Sequence, residues 1–353
     1  MLKILPYLKL AVEKNASDIY FTSGATPMLR VEGEMLAVGK SLLTSEFIRE
    51  LAFSILTPEQ QEHLLKHWEL DLATEAGGLG RFRVNIFTQR GTLAMCLRYV
   101  RADVPTLAML KMPDALAELA LQKRGLILMV GATGSGKSTT LAAMMNHRNE
   151  NTAGHLLTIE DPIEYVHQNK RSIINQREVG QDTVSYERAL LSALREAPDV
   201  ILIGEVRTRD TMDACLQLAN TGHLAISTLH ANNAYQAMQR IINLYPDDSR
   251  NQLYLDLSLT LRAIVSQRLV RGKDGRRVAA IEVMINTPYI AELINSRRID
   301  EMRDAMAQSS DHGMQTFDQS LYKLYKDGVI ELEEALVNAD SRGNLEAKIN
   351  FGG

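Results

Sequence analysis

The residues best suited to chemistry form one short run, Gly131-Ala132-Thr133-Gly134-Ser135-Gly136-Lys137-Ser138. The run fits G-x-x-x-x-G-K-[ST] without substitution, and the apolar residues 126–130 before it are typical of a buried strand. A strand, a glycine-rich loop and a helix in this order can bind the phosphates of a nucleotide. We expect Lys137 to reach the β- and γ-phosphates of ATP and the Ser138 hydroxyl to ligate Mg²⁺. The predicted loop comprises Gly131, Ala132, Thr133, Gly134, Ser135, Gly136, Lys137, Ser138 and Thr139.

Composition excludes several other classes of protein. A net charge of -4 gives no overall nucleic-acid footprint, and no apolar run approaches the roughly 18 residues of a transmembrane helix. The N-terminus lacks the apolar core of a signal peptide, so we expect a cytoplasmic protein. Cys96 and Cys215 are too few for a four-cysteine zinc site, and their apolar surroundings favour buried, unreactive thiols.

The chain of 353 residues is long enough for two or more domains. Residues 1–100 predict a small α+β domain, in which the alternating run 81–87 puts Phe82, Val84 and Ile86 on one face and Arg83 on the other. Residues 101–113 contain two prolines and predict a linker. From 114 to 286 apolar strands alternate with helical patterns, which indicates a doubly wound α/β domain. Residues 287–353 predict a helical C-terminal subdomain.

Polar residues follow three further apolar strands at the point where each strand should end. Glu160 and Asp161 follow residues 156–159, Glu205 follows residues 200–203 and Gly204, and His230 follows residues 224–229. Because a ligand binds at the carboxyl edge of such a sheet, these groups are expected to meet the phosphate loop there.

Each of these groups has a predicted role. Glu205 would orient the Mg²⁺ shell, through water, and His230 would sense phosphate. A carboxylate must also position the attacking water, for which Glu164 is favoured and Glu160 is the alternative. The alternative interpretation of Glu164 and Glu160 is a solvated acidic turn without a catalytic role.

The four motifs together resemble those of one family. Residues 131–139, 158–165, 204–205 and 221–230 are similar to the Walker A, Asp box, Walker B and His box of the ATPases of type II and type IV secretion and of type IV pili. The resemblance implies a small PAS-like N-terminal domain, a RecA-like ATPase domain and a cytoplasmic homo-hexamer at the inner membrane. ATP would bind between neighbouring subunits, with Arg83 and Arg98 matching the family's two nucleotide-sensing arginines. Hydrolysis would extract pilin through an inner-membrane platform protein.

The length and the single short N-terminal domain resemble the pilus retraction group, PilT and PilU. Tyr289-Ile290-Ala291-Glu292-Leu293-Ile294-Asn295-Ser296 stands where PilT-like proteins carry Ala-Ile-Arg-Asn-Leu-Ile-Arg-Glu, and this departure tilts the match toward PilU. Two alternatives stay open. One is a weakly hydrolysing adaptor that works with a PilT-like paralogue. The other is a RecA-like nucleic-acid motor, which is disfavoured because residues 165–185 lack a long basic run.

Overall fold

The computed structural model describes residues 3–31, 33–76, 78–100, 103–309 and 313–351. The chain forms two compact units. The first comprises Met1–Asp103 together with Glu164–Val166, and the second comprises Val104–Ile163 together with His167–Gly353. Arg101 and Ala102, which open the predicted linker, lie outside the described residues. The four-part division of the chain with a boundary at 286 stays a prediction.

The first unit is an antiparallel sheet with helices on one face. Its strand order is β3-β2-β1-β6-β5-β4, and α1, α2 and α3 supply the helices. The predicted alternation along β5 is confirmed, since Phe82, Val84 and Ile86 are buried while Arg83 is half-buried on the opposite face. The elements are α1 (Leu5–Glu13), β1 (Asp18–Phe21), β2 (Met28–Val31), β3 (Glu34–Ala37), α2 (Ser45–Phe53), α3 (Pro58–His67), β4 (Glu69–Glu75), β5 (Arg81–Gln89) and β6 (Thr92–Val100).

The second unit is built on a sheet in the order β13-β12-β7-β11-β10-β8-β9. All neighbours pair in parallel except β12 with β13, which form the predicted hairpin. The four strands expected to deliver chemistry, β7, β11, β10 and β8, are consecutive in this order, so their carboxyl ends share one edge. The strands are β7 (Gly125–Val130), β8 (His155–Glu160), β9 (Ile173–Glu178), β10 (Val200–Ile203), β11 (Leu224–Leu229), β12 (Leu261–Arg271) and β13 (Arg277–Ile285).

Helices cover both faces of this sheet. Leu126, Leu128 and Val130 of β7 pack into one apolar cluster, whereas Ile127 and Met129 pack into the other, as expected for a strand buried on both sides. The helices are α4 (Asp114–Ala120), α5 (Lys137–Asn151), α6 (Tyr186–Ala193), α7 (Arg209–Asn220), α8 (Ala234–Asn243), α9 (Arg250–Thr260), α10 (Pro288–Asn295), α11 (Met302–Gln308), α12 (Phe317–Lys326), α13 (Leu332–Asn338) and α14 (Arg342–Phe351).

The C-terminal helices have their own small core. Phe317, Leu321 and Ile330 pack with Val270 of β12 and Ala280 of β13. Across the described ranges, every helix is too short or too polar to pass through a bilayer.

The cysteine prediction is confirmed for Cys215, which is fully buried on α7, and burial raises the pKa of its thiol to about 12. Cys96 on β6 is only half-buried, although burial raises its thiol pKa too. Neither thiol is bonded to another cysteine. Since the thiolate is the reactive form of cysteine, both side chains are kept in the unreactive state.

Candidate nucleotide-binding site

The phosphate loop joins β7 to α5 and depends on glycine at two places. A Cβ on Gly131 would lie 2.5 Å from the Ser135 Oγ and 2.6 Å from the Gln267 carbonyl oxygen. A Cβ on Gly136 would lie 2.7 Å from the Gln267 Nε2. Both glycines also have positive φ, at 155° and 88°, where a side chain is strained. The loop is therefore folded tightly against β12 and leads directly into the N-terminus of α5.

Gln267 supports this loop from below, and the sequence analysis missed it. The side chain is buried on β12, and its Oε1 accepts a hydrogen bond of 2.8 Å from the hydroxyl of Thr140 on α5. Its carbonyl oxygen and its Nε2 fill the spaces beside Gly131 and Gly136. A buried polar residue must find partners, so a glutamine inside an apolar strand was the available signal.

The groups that would bind phosphate are in place on this loop. The Lys137 Nζ donates to the carbonyl oxygens of Gly131 and Ala132, at 2.8 and 3.0 Å. Ser138 is half-buried on the first turn of α5. Ser135 Oγ is buried at the base of the loop and has no hydrogen-bond partner within the part of the chain described. The free N–H groups of the helix N-terminus, the ammonium and the hydroxyls fit an anionic phosphate chain.

The same residues fit a magnesium ion that is bound together with phosphate. No group of three or more His, Cys, Asp or Glu side chains suited to a metal occurs in the described ranges. A cation here would need phosphate oxygens and water besides Ser138, which is how Mg²⁺ is usually held at nucleotide sites.

Glu205 lies between a guanidinium and an imidazole. Its Oε2 accepts a hydrogen bond of 2.7 Å from the Arg207 Nε, and its Oε1 is 3.2 Å from the His230 Nε2. The hydrogen bond to Glu205 raises the pKa of Arg207. The side chain of Glu205 is only 13% exposed, whereas that of His230 is 37% exposed. Glu205 and His230 are thus brought together as predicted, and Arg207 is a partner that the sequence analysis did not identify.

Side-chain hydrogen bonds fix the ends of β10 and β11 to each other. The Ser227 hydroxyl donates to the Ile203 carbonyl at 2.8 Å, and the Thr228 hydroxyl donates to the Gly204 carbonyl at 2.6 Å. Both carbonyls belong to the segment that leads into Glu205. These bonds hold the backbone on either side of the Glu205–His230 pair.

Glu160 is held by two neighbours at the end of β8. Its Oε1 accepts from the Thr158 hydroxyl at 2.6 Å and from the Gln176 Nε2 at 3.2 Å. Two residues further along β9, the Glu178 Oε2 accepts from the Ile163 N–H at 3.1 Å. The turn that follows Glu160 is therefore built by β9, a strand that the sequence analysis did not predict.

Three predicted site residues belong to the first unit. Glu164 is exposed and groups with that unit through its contacts. Arg83 and Arg98 lie directly opposite each other on β5 and β6, so their side chains share one face of the sheet. The Arg98 Nε donates to the buried Asp18 at 2.8 Å, and this bond raises the pKa of Arg98. The second unit by itself brings together the phosphate loop, Glu160, Glu205 and His230.

A further polar cluster holds the loop that follows His230. The Arg268 guanidinium donates to the carbonyl of Asn232 at 3.2 Å and to Asp340 at 2.5 Å. It also donates to the Asn338 carbonyl at 2.8 Å and lies 3.9 Å from the centre of the Phe317 ring. Arg268 thus ties the C-terminal helices to this loop.

Glu282 of β13 is buried beside this cluster. Its Oε1 accepts from the N–H of Ala234 at 2.7 Å and from the Ser266 hydroxyl at 2.8 Å. Burial raises the pKa of the Glu282 carboxyl to about 7, with Asp340 adding to the rise and Arg268 opposing it. The start of α8, directly after the His230 loop, is therefore anchored to a carboxyl that titrates near neutrality.

A glycine-rich phosphate loop with carboxylates and a histidine at the carboxyl edge of a parallel sheet defines a P-loop ATPase. Its sequence matches the family described as "Type II/IV secretion system protein" over residues 3–279, and the chain belongs to that family. It is 50% identical to the type IV pilus ATPase PilU of Pseudomonas aeruginosa over 346 residues, which are 98% of this chain and 91% of that protein.

Two further comparisons agree with this assignment. The chain is 38% identical to the type IV pilus retraction ATPase PilT of Pseudomonas aeruginosa over 332 residues, or 94% of this chain and 96% of that protein. A crystal structure of the pilus retraction motor PilT with bound ADP matches with a TM-score of 0.91 and 41% identity, covering 97% of this chain and 98% of that one. The predicted fold class, a small N-terminal α+β domain with a RecA-like ATPase domain, is confirmed, as is the assignment of the chain as an ATPase.

Proposed function

We propose that this chain is an ATP-hydrolysing motor of the type IV pilus machinery that drives or assists pilus retraction. The observation that carries the proposal is the meeting of the phosphate loop, Glu160, Glu205 and His230 on four adjacent parallel strands, in a chain similar over nearly its whole length to pilus retraction ATPases. The proposed assembly is a homo-hexamer in the cytoplasm, held at the inner membrane by the pilus platform protein. A PilT-like paralogue is a further proposed partner.

In the proposed mechanism the phosphate loop and Lys137 bind the phosphates of ATP, and Ser138 and Glu205 hold Mg²⁺, the latter through water. The metal supplies charge neutralisation when it is bound. Arg207 donates a hydrogen bond to Glu205 and so holds its carboxylate in place. His230 donates to Glu205 or to phosphate, depending on its tautomer. The carboxylate that positions water is proposed to be Glu164, with Glu160 as the alternative.

Arg83 and Arg98 are proposed to act on the nucleotide of a neighbouring subunit. Their shared face on the first unit supports this, because two guanidinium groups side by side suit a phosphate chain. The bond from Arg98 to Asp18 supports a structural role instead. A mixture of Lys137→Ala and Arg83→Ala subunits separates these roles, since only action between subunits lets the two inactive variants restore hydrolysis together.

The first test is phosphate release by the purified chain and by its Lys137→Ala variant. Loss of the ammonium removes a charge from the transferring phosphoryl group, so we expect hydrolysis to fall by about 100-fold or more. Glu62→Gln on the exposed surface of α3 serves as the control and should retain full activity. A folded Lys137→Ala protein that hydrolyses ATP normally would reject the assignment of the loop.

The second test addresses the pilus. Bacteria that carry Lys137→Ala at the native locus should keep surface pili but lose retraction against load, measured by twitching and by pulling on single pili. Addition of a purified PilT-like paralogue to the ATPase assay separates a motor from an adaptor. Hydrolysis that arises only in the presence of the paralogue favours the adaptor, and turnover stimulated by nucleic acid favours the RecA-like nucleic-acid motor.

A further inference from the structure

The phenol of Tyr186 lies beside the carboxyl ends of β10 and β8, two strands that carry site residues. It is the first residue of α6, whose N-cap Ser185 accepts a hydrogen bond from the Arg188 N–H. A Cβ on Gly204 would lie 2.4 Å from the Tyr186 hydroxyl oxygen and 3.3 Å from the Ile159 carbonyl. Since Gly204 directly precedes Glu205 and Ile159 directly precedes Glu160, the hydroxyl lies where the ends of β10 and β8 meet.

The surroundings of this hydroxyl are strongly acidic. Burial raises the pKa of Tyr186, and the charges of Asp161, Glu160 and Glu205 raise it further while Arg207 opposes them. The phenol is consequently neutral at physiological pH and can donate a hydrogen bond. Its hydroxyl makes no hydrogen bond with any residue of the described ranges. The phenol is thus a half-buried donor beside Gly204 that experiences the negative charge of three carboxylates.

We propose that Tyr186 is a positioning residue of the ATPase site, whose hydroxyl donates to the carboxylate cluster of Glu160 and Glu205 during hydrolysis. A hydrogen bond to a carboxylate favours its charged form and fixes its orientation. Hydrogen bonds of this kind commonly shorten when the substrate binds. The inference rests on the ATPase activity of the chain and not on its role in the pilus. It also explains why residue 204 is glycine, because any side chain there would displace the phenol oxygen.

The test is Tyr186→Phe, which removes one oxygen and keeps the ring that packs at the start of α6. We expect kcat to fall by about 10- to 100-fold, the usual cost of losing the partner of a catalytic group. KM for ATP should change by less than about 3-fold, because the phosphate loop is untouched. The melting temperature should stay close to that of the wild type, because the ring and its packing are kept.

Tyr245→Phe is the matched control. Its hydroxyl also lies beside a carboxylate, donating to Asp213 at 2.5 Å, and burial likewise raises its pKa. This variant should leave kcat and KM for ATP as in the wild type. A Gly204→Ala variant adds an independent readout. The added methyl should impair the wild type more than the Tyr186→Phe protein, in which the oxygen is gone.

Two results would overturn the inference. One is an unchanged kcat in Tyr186→Phe while Lys137→Ala abolishes hydrolysis, which leaves the ATPase assignment intact. The other is a lower kcat together with a lowered melting temperature, which assigns the hydroxyl to stability alone.

Discussion

Glu205 and Glu160 are both carboxylates at strand ends, yet their neighbours differ. Glu205 faces two groups that can carry positive charge, Arg207 and His230, whereas Glu160 accepts from a neutral hydroxyl and a neutral amide. Charge-assisted bonds are about twice as strong as neutral ones, so the hydrogen bond from Arg207 fixes the position of the Glu205 carboxylate more firmly. Such a carboxylate suits a metal shell, and the two residues are thus expected to respond differently to neutralisation.

Glu205→Gln is expected to retain nucleotide binding and lose hydrolysis. The amide keeps the size and one acceptor, but it cannot balance the charge of the metal or of Arg207, so kcat should fall by about 100-fold. Fluorescent-nucleotide anisotropy measures binding, and phosphate release measures turnover. A Glu205→Gln protein whose affinity and turnover both match the Glu62→Gln control would remove Glu205 from the site.

At the scale of elements, strands that consist of apolar runs could be predicted from the sequence. Strands that lack such a run were missed. The strands ending at 130, 160, 203 and 229 were visible because each is a short apolar run followed by a polar group. β9 was not visible, since four of its six residues, Asn175, Gln176, Arg177 and Glu178, are polar. It is an edge strand, where polar residues are tolerated because one side needs no apolar partner. β3 was also missed, because it has only four residues and its sequence, EMLA, shows no alternation of apolar and polar residues.

The same limit applies to the candidate site. The phosphate loop, Glu160, Glu205 and His230 could be predicted because motif spacing and strand ends locate them. Gln176 and Tyr186 could not, because each is defined by a contact with another element, and for Gln267 the only signal was a polar residue inside an apolar strand. That residue 131 must be glycine because of its contact with Gln267 can be seen only in the structure.

Gly131→Ala is expected to disrupt the phosphate loop without unfolding the second unit. The new methyl would collide with the Gln267 carbonyl, and a displacement of about 1 Å can weaken a positioned site by about 100-fold. Gly275→Ala is the control, because Gly275 in the turn between β12 and β13 also has positive φ, at 80°, but a Cβ there meets nothing within 4 Å. Nucleotide affinity should fall in Gly131→Ala only. Equal losses in both variants would point to backbone strain instead of the contact with β12.

For the whole molecule, stability should depend on pH through Glu282. The folded chain keeps this carboxyl protonated up to a pKa of about 7, whereas its ordinary value is 4.5. Because the folded state then binds more protons than the unfolded state, the free energy of unfolding falls as pH rises from about 4.5 to about 7. At about 1.4 kcal/mol per pKa unit, the loss is on the order of 3 kcal/mol.

Glu282→Gln tests this at the scale of the molecule. The amide is neutral at every pH and keeps an oxygen that can accept from Ala234 and Ser266. Between pH 5 and pH 8 the melting temperature of the variant should fall less than that of the wild type, as measured by scanning calorimetry. Parallel curves for the two proteins would show that Glu282 does not titrate in this range.

Gln267 and Arg268 are consecutive residues of β12, and their side chains point to opposite faces of the sheet. Gln267 fills the space beside the glycines of the phosphate loop. Arg268 donates a hydrogen bond to Asp340 and packs on the ring of Phe317, both in the C-terminal region. Gln267, which contacts the phosphate loop, is therefore directly followed by Arg268, which contacts the C-terminal helices. β12 is stiffened by its long antiparallel pairing with β13. Any displacement of those helices that moves Arg268 would therefore also move the neighbouring residue that supports the phosphate loop.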